Sequence, residues 1–371
     1  MLSRGLILFV TVVEGVIVLA HFIAYATISF ILSPMGTPPM ALFVAFVFLS
    51  FFFVIATLLS MRGFTAFTSA IYRASAVWMG TLSLLVFASI VFWLIWNVLQ
   101  FFGGAIDPRL VGLPLIGAAL LLSIWGVYRS YDTKVVRYTV SLPNLPDAWI
   151  GRRAVVASDT HFGPVRSAAS AQKLVSLIRA QAPDIIFLPG DLFDGPPADY
   201  PGLTRALSNL HAPLGIFFSE GNHEEFRDPT NYQRTLRDAN ITMLDNQVIT
   251  IDGLTMLGLS FIDSTAPVIL KEKLTALPFD RTKPSILLKH APTVPEIVRD
   301  AGISLMLSGH THLGQMWPYS IIVRRMFGPA GYGHAHYGTL QTITTSGFGT
   351  WGPPQRLGTQ SEIVVIEFKK G

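Results

Sequence analysis

The sequence has no cysteine among its 371 residues. That excludes disulfides, thiol nucleophiles and thiolate metal sites. It leaves the redox compartment undecided, because a chain without Cys suits either side of a membrane. Charge is the second scarcity. Up to about Tyr128 very few charged residues occur, whereas beyond it charges, prolines and polar loops reach ordinary globular frequency. The net charge is +4 and no run of Lys and Arg stands out, so nothing points to nucleic acid. The split predicts a membrane-embedded N-terminal part and a soluble part large enough to bury its own core.

The charge-poor half is filled with apolar residues. Four stretches reach the roughly 20 residues that cross a bilayer: Leu6 to Leu32, Met40 to Leu59, Ala76 to Leu99 and Leu110 to Tyr128. The first is too long, and lacks the small-residue cleavage site, to be a secretory signal peptide. Turn-rich links, Ser33 to Pro39 and Gly103 to Pro108, join the spans. Arg4, Arg62, Arg73, Arg129, Lys134 and Arg137 flank one side, against Arg109 alone on the other. This bias predicts both termini and the soluble domain in the cytoplasm, on a multi-pass plasma or inner membrane. Glu14 and His21 share one face of the first span. Ionisable groups in hydrocarbon are costly and often functional. Without a basic partner or a polar stripe, their expected role is pairing with neighbouring helices, and a transporter is not favoured.

From Lys134 onward strands and helices alternate. Val135–Val140 reads as an alternating strand and Ala154–Ala157 as a buried one, followed by an amphipathic helix near Ala168–Ala180. The run Val156-Ala157-Ser158-Asp159-Thr160-His161 is an apolar strand ending in two residues that point to one face. Ile185–Leu188 ends in Gly190-Asp191. After a helix near Leu203–Leu210, Leu214–Phe218 ends in Glu220-Gly221-Asn222-His223-Glu224. Asp159, Asp191 and Asn222 thus recur at about one strand–helix–strand unit of 30 residues. Parallel sheets of such units collect functional residues at the carboxyl ends of their strands. Ser285–Lys289 ends at His290, and Ile303–Ser308 ends at Gly309-His310-Thr311-His312, repeating the spacing of Asp159 and His161. Oxygen and imidazole donors without sulfur suit Mn, Fe or Zn. Seven ligands are too many for one ion and about right for two with a bridge. A single His after an apolar strand is ordinary loop chemistry; five such endings in order are not.

Asp159-Thr160-His161, Gly190-Asp191, Gly221-Asn222-His223-Glu224, His290 and Gly309-His310-Thr311-His312 resemble the five blocks of calcineurin-like metallophosphoesterases. Leu142-Pro143-Asn144-Leu145-Pro146, Gly314-Gln315 and the stretch Gly347–Gly358 look like the bacterial membrane-associated phosphodiesterase branch, some of whose members act on nucleotide-linked lipid precursors. The resemblance implies an α/β/β/α two-sheet sandwich over residues 131–371, behind an all-α four-helix transmembrane region at 1–130. It assigns Asp159, His161 and His312 to one metal and Asn222, His290 and His310 to the other. Asp191 bridges, and His223 binds no metal but faces the substrate phosphate. Thr160 replaces the usual Leu, Leu313 a common Gly and Glu224 the frequent Asp; none of these removes a ligand, and Leu313 bears on pocket shape.

The implied chemistry is a metal-dependent phosphoric ester hydrolase of phosphodiesterase type. Two divalent ions about 3.5–4 Å apart hold a bridging hydroxide for in-line attack on a phosphodiester or pyrophosphate. His223 stabilises the transition state or protonates the leaving oxygen. Glu224 or Asp194 orients a ligand histidine, or else caps a helix or sits on the surface. Arg356 is a candidate phosphate contact. His334 and His336 read as loop residues, because the metal positions are already filled. The expected partners are a phosphorylated small-molecule or lipid substrate and the lipid bilayer, with no nucleic acid and no obligate protein partner. The rival readings are a non-catalytic membrane sensor or scaffold for a phosphorylated ligand, and a hydrolase of a soluble cyclic nucleotide or phosphoprotein.

Overall fold

The computed structural model describes residues 4–33, 36, 40–194, 197–225 and 229–371. The chain falls into two compact units, Met1–Tyr128 with Gly352–Gln355, and Arg129–Trp351 with Arg356–Gly371.

Among the described residues, four helices are long and apolar enough to cross a membrane: α1 (Arg4–Leu32), α2 (Met40–Met61), α3 (Ala66–Phe101) and α4 (Pro108–Tyr131). Each contains a span expected from hydropathy. The third begins well before Ala76, because Thr65 and Thr68 form a reciprocal capping box that starts the helix at Ala66. Arg73, expected in a link, is therefore inside α3. With 36 residues, α3 is roughly 54 Å long, more than a hydrocarbon core of about 30 Å requires. Most of the link Ser33 to Pro39 lies outside the described residues.

Polar side chains inside this unit bond from helix to helix. Trp78 Nε1 donates to His21 Nε2 at 2.9 Å, and His21 Nδ1 lies 2.8 Å from the carbonyl of Ile17. Trp93 Nε1 donates to Thr27 Oγ1 at 3.0 Å, and Thr81 and Ser123 hydroxyls are 2.7 Å apart. Such bonds hold apolar helices together where hydrophobic contrast with lipid is absent. His21 thus pairs with a neighbouring helix, as expected. Glu14, on the same helix, has no hydrogen-bond partner for either carboxylate oxygen.

The second unit runs β1 (Thr133–Leu142), β2 (Arg153–Val156), α5 (Ala168–Arg179), β3 (Ile185–Pro189), α6 (Tyr200–Leu207), β4 (Ile216–Ser219), α7 (Asn222–Glu225), α8 (Pro229–Asp238) and β5 (Thr242–Met243). It continues through β6 (Gln247–Ile251), β7 (Leu254–Gly258), α9 (Phe261–Thr265), α10 (Pro267–Ala276), β8 (Ser285–Leu288), α11 (Pro295–Asp300) and β9 (Leu305–Ser308). α12 (Tyr319–Phe327), β10 (Gly333–Tyr337), β11 (Leu340–Thr344) and β12 (Ser361–Lys370) complete it. Among the described residues these strands make two six-stranded sheets, ordered β1-β12-β2-β3-β4-β5 and β10-β11-β9-β8-β7-β6.

Alternation along each strand builds the layers. Val156, Phe187 and Phe217 of the first sheet meet Met256, Leu288 and Leu307 of the second in a core between the sheets. Their neighbours Val155, Ile186 and Phe218 turn outward onto α5, α6 and α8. Leu257, Leu287 and Met306 likewise turn onto α10 and α11. The result is an α/β/β/α sandwich, as the motif resemblance implies. His334 and His336, expected in a loop, belong instead to β10. Their rings lie 4.9 Å apart, and His334 Nε2 is 2.9 Å from Gln341 Oε1 on the paired strand β11.

Trp149 anchors the inter-sheet core. It is fully buried, meets Phe368 edge-on at 5.5 Å and donates Nε1 to the Ile251 carbonyl at 2.9 Å. Replacing it with Ala removes the ring and orphans that carbonyl, and should destabilise the unit by about 3–5 kcal/mol. Denaturant unfolding of the full chain in detergent checks this; a loss below about 1 kcal/mol contradicts the anchoring role.

Candidate metal centre

β2, β3 and β4 are parallel neighbours, in register from Val155 to Ile186 and from Phe187 to Phe217. Their carboxyl ends therefore open side by side and release Asp159, Asp191 and Asn222 along one edge. β8 and β9 are parallel neighbours in the other sheet and release His290 and His310 toward the same place. Backbone bonds fix the loops: the amide of Asp159 donates to the Gly190 carbonyl, and that of His161 to the Asp191 carbonyl, both at 3.1 Å. Thr160, where the resemblance expects Leu, uses its hydroxyl to reach the Leu192 carbonyl at 2.7 Å.

Sharp turns aim the side chains. Asp159, His161, Asp191, His310 and His312 all take positive φ, between 47° and 71°. That conformation costs on the order of 1 kcal/mol at each non-glycine residue, and such strain gathers at functional sites. Gly221 answers a different need. A Cβ there would stand 2.2 Å from Asp191 Oδ1, so only glycine lets this strand end approach the carboxylate.

The sequence-predicted ligands converge in two adjoining groups, and His161, Asp194 and His223 form a third set with ligand atoms within 4.8 Å of one another. Ligand atoms of Asp159, His161 and His312 lie within 4.8 Å of one another, as do those of Asp191, His290 and His310. His161 Nε2 and His312 Nε2 are 3.0 Å apart, and His312 Nε2 is 3.4 Å from Asp159 Oδ1. Asp191 Oδ2 is 3.1 Å from His290 Nε2 and 3.9 Å from His161 Nε2, so its carboxylate stands between the groups. Asn222 Oδ1 is 2.9 Å from His310 Nδ1. The seven residues singled out in the sequence are thus all brought together. His223 stands beside them, its ring edge-on to His161 at 4.7 Å.

The surroundings fit divalent cations. Asp159 and Asp191 are buried, and among the described residues the ion-pair partners they have are histidines, with no Lys or Arg. Buried charges in proteins are paired or coordinate metals. Asp159 Oδ2, His161 Nδ1 and His290 Nε2 are buried without hydrogen-bond partners. Burial raises the pKa of Asp159. Burial, then the charge of His290, lowers His310 to about 3, and burial also holds His312 well below its usual value. These two imidazoles are therefore neutral, the form that binds a metal.

Two carboxylates shape the centre from behind. Glu224 is buried and accepts the backbone N–H groups of Asp191, Phe193 and Gly221 at 3.0, 2.9 and 2.9 Å. It ties the second strand end to the third, its hydrogen bonds among the described residues going to backbone rather than to a ligand histidine. Asp194 holds His223 rather than a predicted ligand: its Oδ1 is 3.3 Å from His223 Nδ1, and 3.8 Å from His161 Nδ1, beyond hydrogen-bond reach. Burial works against the His223 cation, but the Asp194 hydrogen bond and the charges of Asp191, Asp194 and Glu224 outweigh it, and the pKa is raised.

Arg356 does not serve as the phosphate contact expected of it. It is fully buried, and Nη2 donates to the carbonyls of Ser346, Gly347 and Gly349 at 2.6, 3.2 and 2.8 Å. It folds the 346–349 loop against His312, whose Nδ1 is 3.3 Å away. The sequence reading missed Phe261, which lies 6.0 Å from the His290 ring and 5.7 Å from the His310 ring. It also missed Trp351, 6.4 Å from His223. Neither carries a local signal, because Phe261 opens the short helix α9 and Trp351 sits in a loop, and only tertiary folding brings them to the site.

Leu313 occupies a left-handed position, φ 49° and ψ 34°, where the resemblance expects glycine. Relieving that strain with Leu313→Gly returns about 1 kcal/mol. Losing a buried Leu side chain costs about 1.5–3 kcal/mol, and the added freedom of glycine when unfolded costs more. Leu313→Gly should therefore be net destabilising by about 1–2 kcal/mol in thermal or denaturant unfolding; an increase in stability shows that strain dominates.

Comparison with known proteins follows the same residues. The family model for calcineurin-like phosphoesterase matches residues 152–314, which include all five blocks. An uncharacterised metallophosphoesterase of Campylobacter jejuni is 28% identical over 67% of this chain and 68% of its own length. A Danio rerio protein described as a transmembrane protein with metallophosphoesterase domain is 29% identical over 70% of this chain; the chain spans 62% of it, less than two thirds. An uncharacterised metallophosphoesterase of Aquifex aeolicus is 30% identical over 68% of this chain and 97% of its own length. With its five blocks inside the family match and nearly the whole length of the Aquifex protein covered, the chain belongs to the calcineurin-like phosphoesterase family.

Proposed function

We propose that the protein is a membrane-anchored phosphodiesterase that uses two divalent ions, drawn from Mn, Fe or Zn, to hydrolyse a phosphodiester or pyrophosphate bond. The observation that carries this is the convergence of seven buried or half-buried donors into two adjoining groups with Asp191 between them. In this reading Asp159, His161 and His312 would hold one ion and Asn222, His290 and His310 the other, with the Asp191 carboxylate between the two groups. When bound, the ions supply Lewis-acid neutralisation of the phosphoryl oxygens and acidify water for in-line attack.

The chain's own groups do the rest. Asp191 fixes the spacing of the two halves, and Glu224 fixes Asp191 by its backbone. His223, with Nδ1–H directed at Asp194, presents Nε2 to the departing oxygen and donates its proton there.

The domain boundary lies near residue 130, with 1–130 in the membrane and 131–371 catalytic and cytoplasmic. A lipid-linked or nucleotide-linked substrate suits a catalytic domain tethered to a bilayer. Purified protein with Mn²⁺ should hydrolyse an aromatic phosphodiester, and Asp191→Asn should not. Equal rates for the two proteins, at the level of buffer, defeat the enzyme reading.

A further inference from the structure

The helix α12 presents an anomalous surface. Val323 and Phe327 face inward: a Cβ at Gly331 would meet Phe327 Cβ at 3.0 Å and Val323 Cγ1 at 3.4 Å. At 3.6 residues per turn the opposite face then carries Ile321, Ile322 and Arg325, with Met326 on its flank. A soluble helix reserves that face for polar residues, yet here Ile322 is 52% and Met326 71% exposed. None of the helix is buried, and its basic pair, Arg324 and Arg325, is also exposed. Two exposed tryptophans extend the apolar surface. Trp317 precedes the helix, and Trp351 is 62% exposed. The Gln315 side chain holds Trp351 by both its backbone N–H and its carbonyl, at 2.9 and 3.1 Å.

We propose that α12, with Trp317 and Trp351, is an interfacial element that seats on the surface of an anionic bilayer. Three observations select that occupant. Exposed Ile, Met and Tyr on one short helix with Arg in its last turn, flanked by two exposed Trp, is the composition of interfacial helices, whose cations meet anionic headgroups. No acidic residue occurs between Leu313 and Tyr337 to oppose them. The same chain supplies four membrane-length helices, the last ending at Tyr131, two residues before β1, so a bilayer is at hand. The surface also adjoins the metal centre: Phe327 lies 6.2 Å from the His310 ring and Trp351 6.4 Å from His223. A phosphate in a lipid headgroup would reach that centre without leaving the interface. The seating itself does not depend on the proposed catalysis, and the test uses no activity readout.

The absence of native cysteine makes the test clean. Full-length protein carrying Met326→Cys, labelled with an environment-sensitive dye, is reconstituted in phosphatidylcholine vesicles containing one quarter phosphatidylglycerol. Lys283→Cys, before the amino end of β8 and remote from the centre, serves as the control. Nitroxide lipids should quench the dye at 326 several-fold more than the dye at 283. Adding Arg324→Glu and Arg325→Glu should reduce that difference. Equal quenching at the two positions overturns the proposal. So does a dye at 326 shielded from both nitroxide lipid and aqueous iodide, which would place a protein over this face instead.

Discussion

Asp191→Asn protein should purify with far less metal than the native chain, and its turnover should fall by more than about 100-fold. Removing an outer partner of a metal ligand typically costs about 10–100-fold; Asp191 is proposed as a ligand shared by both ions, so the loss should exceed that range. The placement of the Asp191 carboxylate is the reason. Oδ2 lies 3.1 Å from His290 Nε2 and 3.9 Å from His161 Nε2, whereas Oδ1 accepts the His223 backbone N–H at 2.9 Å. Asparagine preserves the volume and one acceptor, so the His223 contact and the local fold survive. It removes the negative charge from the point where the two groups meet. Metal analysis and activity on one preparation check this together. A second readout is thermal: a metal that binds only the folded state stabilises it, so a chelator should lower the Tm of the native protein and leave that of Asp191→Asn unchanged. Full metal content in the variant would show that Asp191 is not shared.

His223→Ala should behave differently, keeping its metal while losing turnover by about 10²–10⁴-fold, the range for a positioned general acid or base. The two groups that gather the proposed ligands do not include this residue, which forms a third close set only with Asp194 and His161, and its side chain remains 16% exposed beside Trp351. Asp194→Asn should give a smaller loss, about 10–100-fold, because that carboxylate acts through His223. The double variant should be little worse than His223→Ala alone, since residues in one hydrogen-bonded unit are not additive. His223→Ala turning over within about twofold of the native rate removes its role as acid. Lost metal in the same variant would instead make it a ligand.

Much of this was legible in one dimension because the physical signals are local. Twenty apolar residues without charge announce a span, and an apolar run ending in Asp, Asn or His announces a strand that delivers a polar side chain at its end. Asp159, Asp191, Asn222, His290 and the His310/His312 pair each lie immediately after such a run, so their convergence needed only parallel strands in register. Helix beginnings were less legible: α3 starts at a capping pair, Thr65 and Thr68, that an average of hydropathy overlooks.

Other residues have roles that no window of sequence contains. Arg356 looks like an exposed cation in a glycine-rich loop, yet three carbonyls from 346–349 surround it in the interior. Asp194 and Glu224 were interchangeable as candidates. Folding separated them, giving one the His223 side chain and the other the backbone N–H groups of two strand ends. β12 pairs parallel with β1 and antiparallel with β2, a choice made by distant strands competing for one sheet edge. The sequence alone determined the membrane-length helices, the order of the strand ends and which seven polar side chains stand at them, because hydropathy and strand endings are written in neighbouring residues. Only the tertiary structure decided which donors face each other, which carboxylate serves which partner and which arginine is buried, because those depend on contacts between segments tens to hundreds of residues apart.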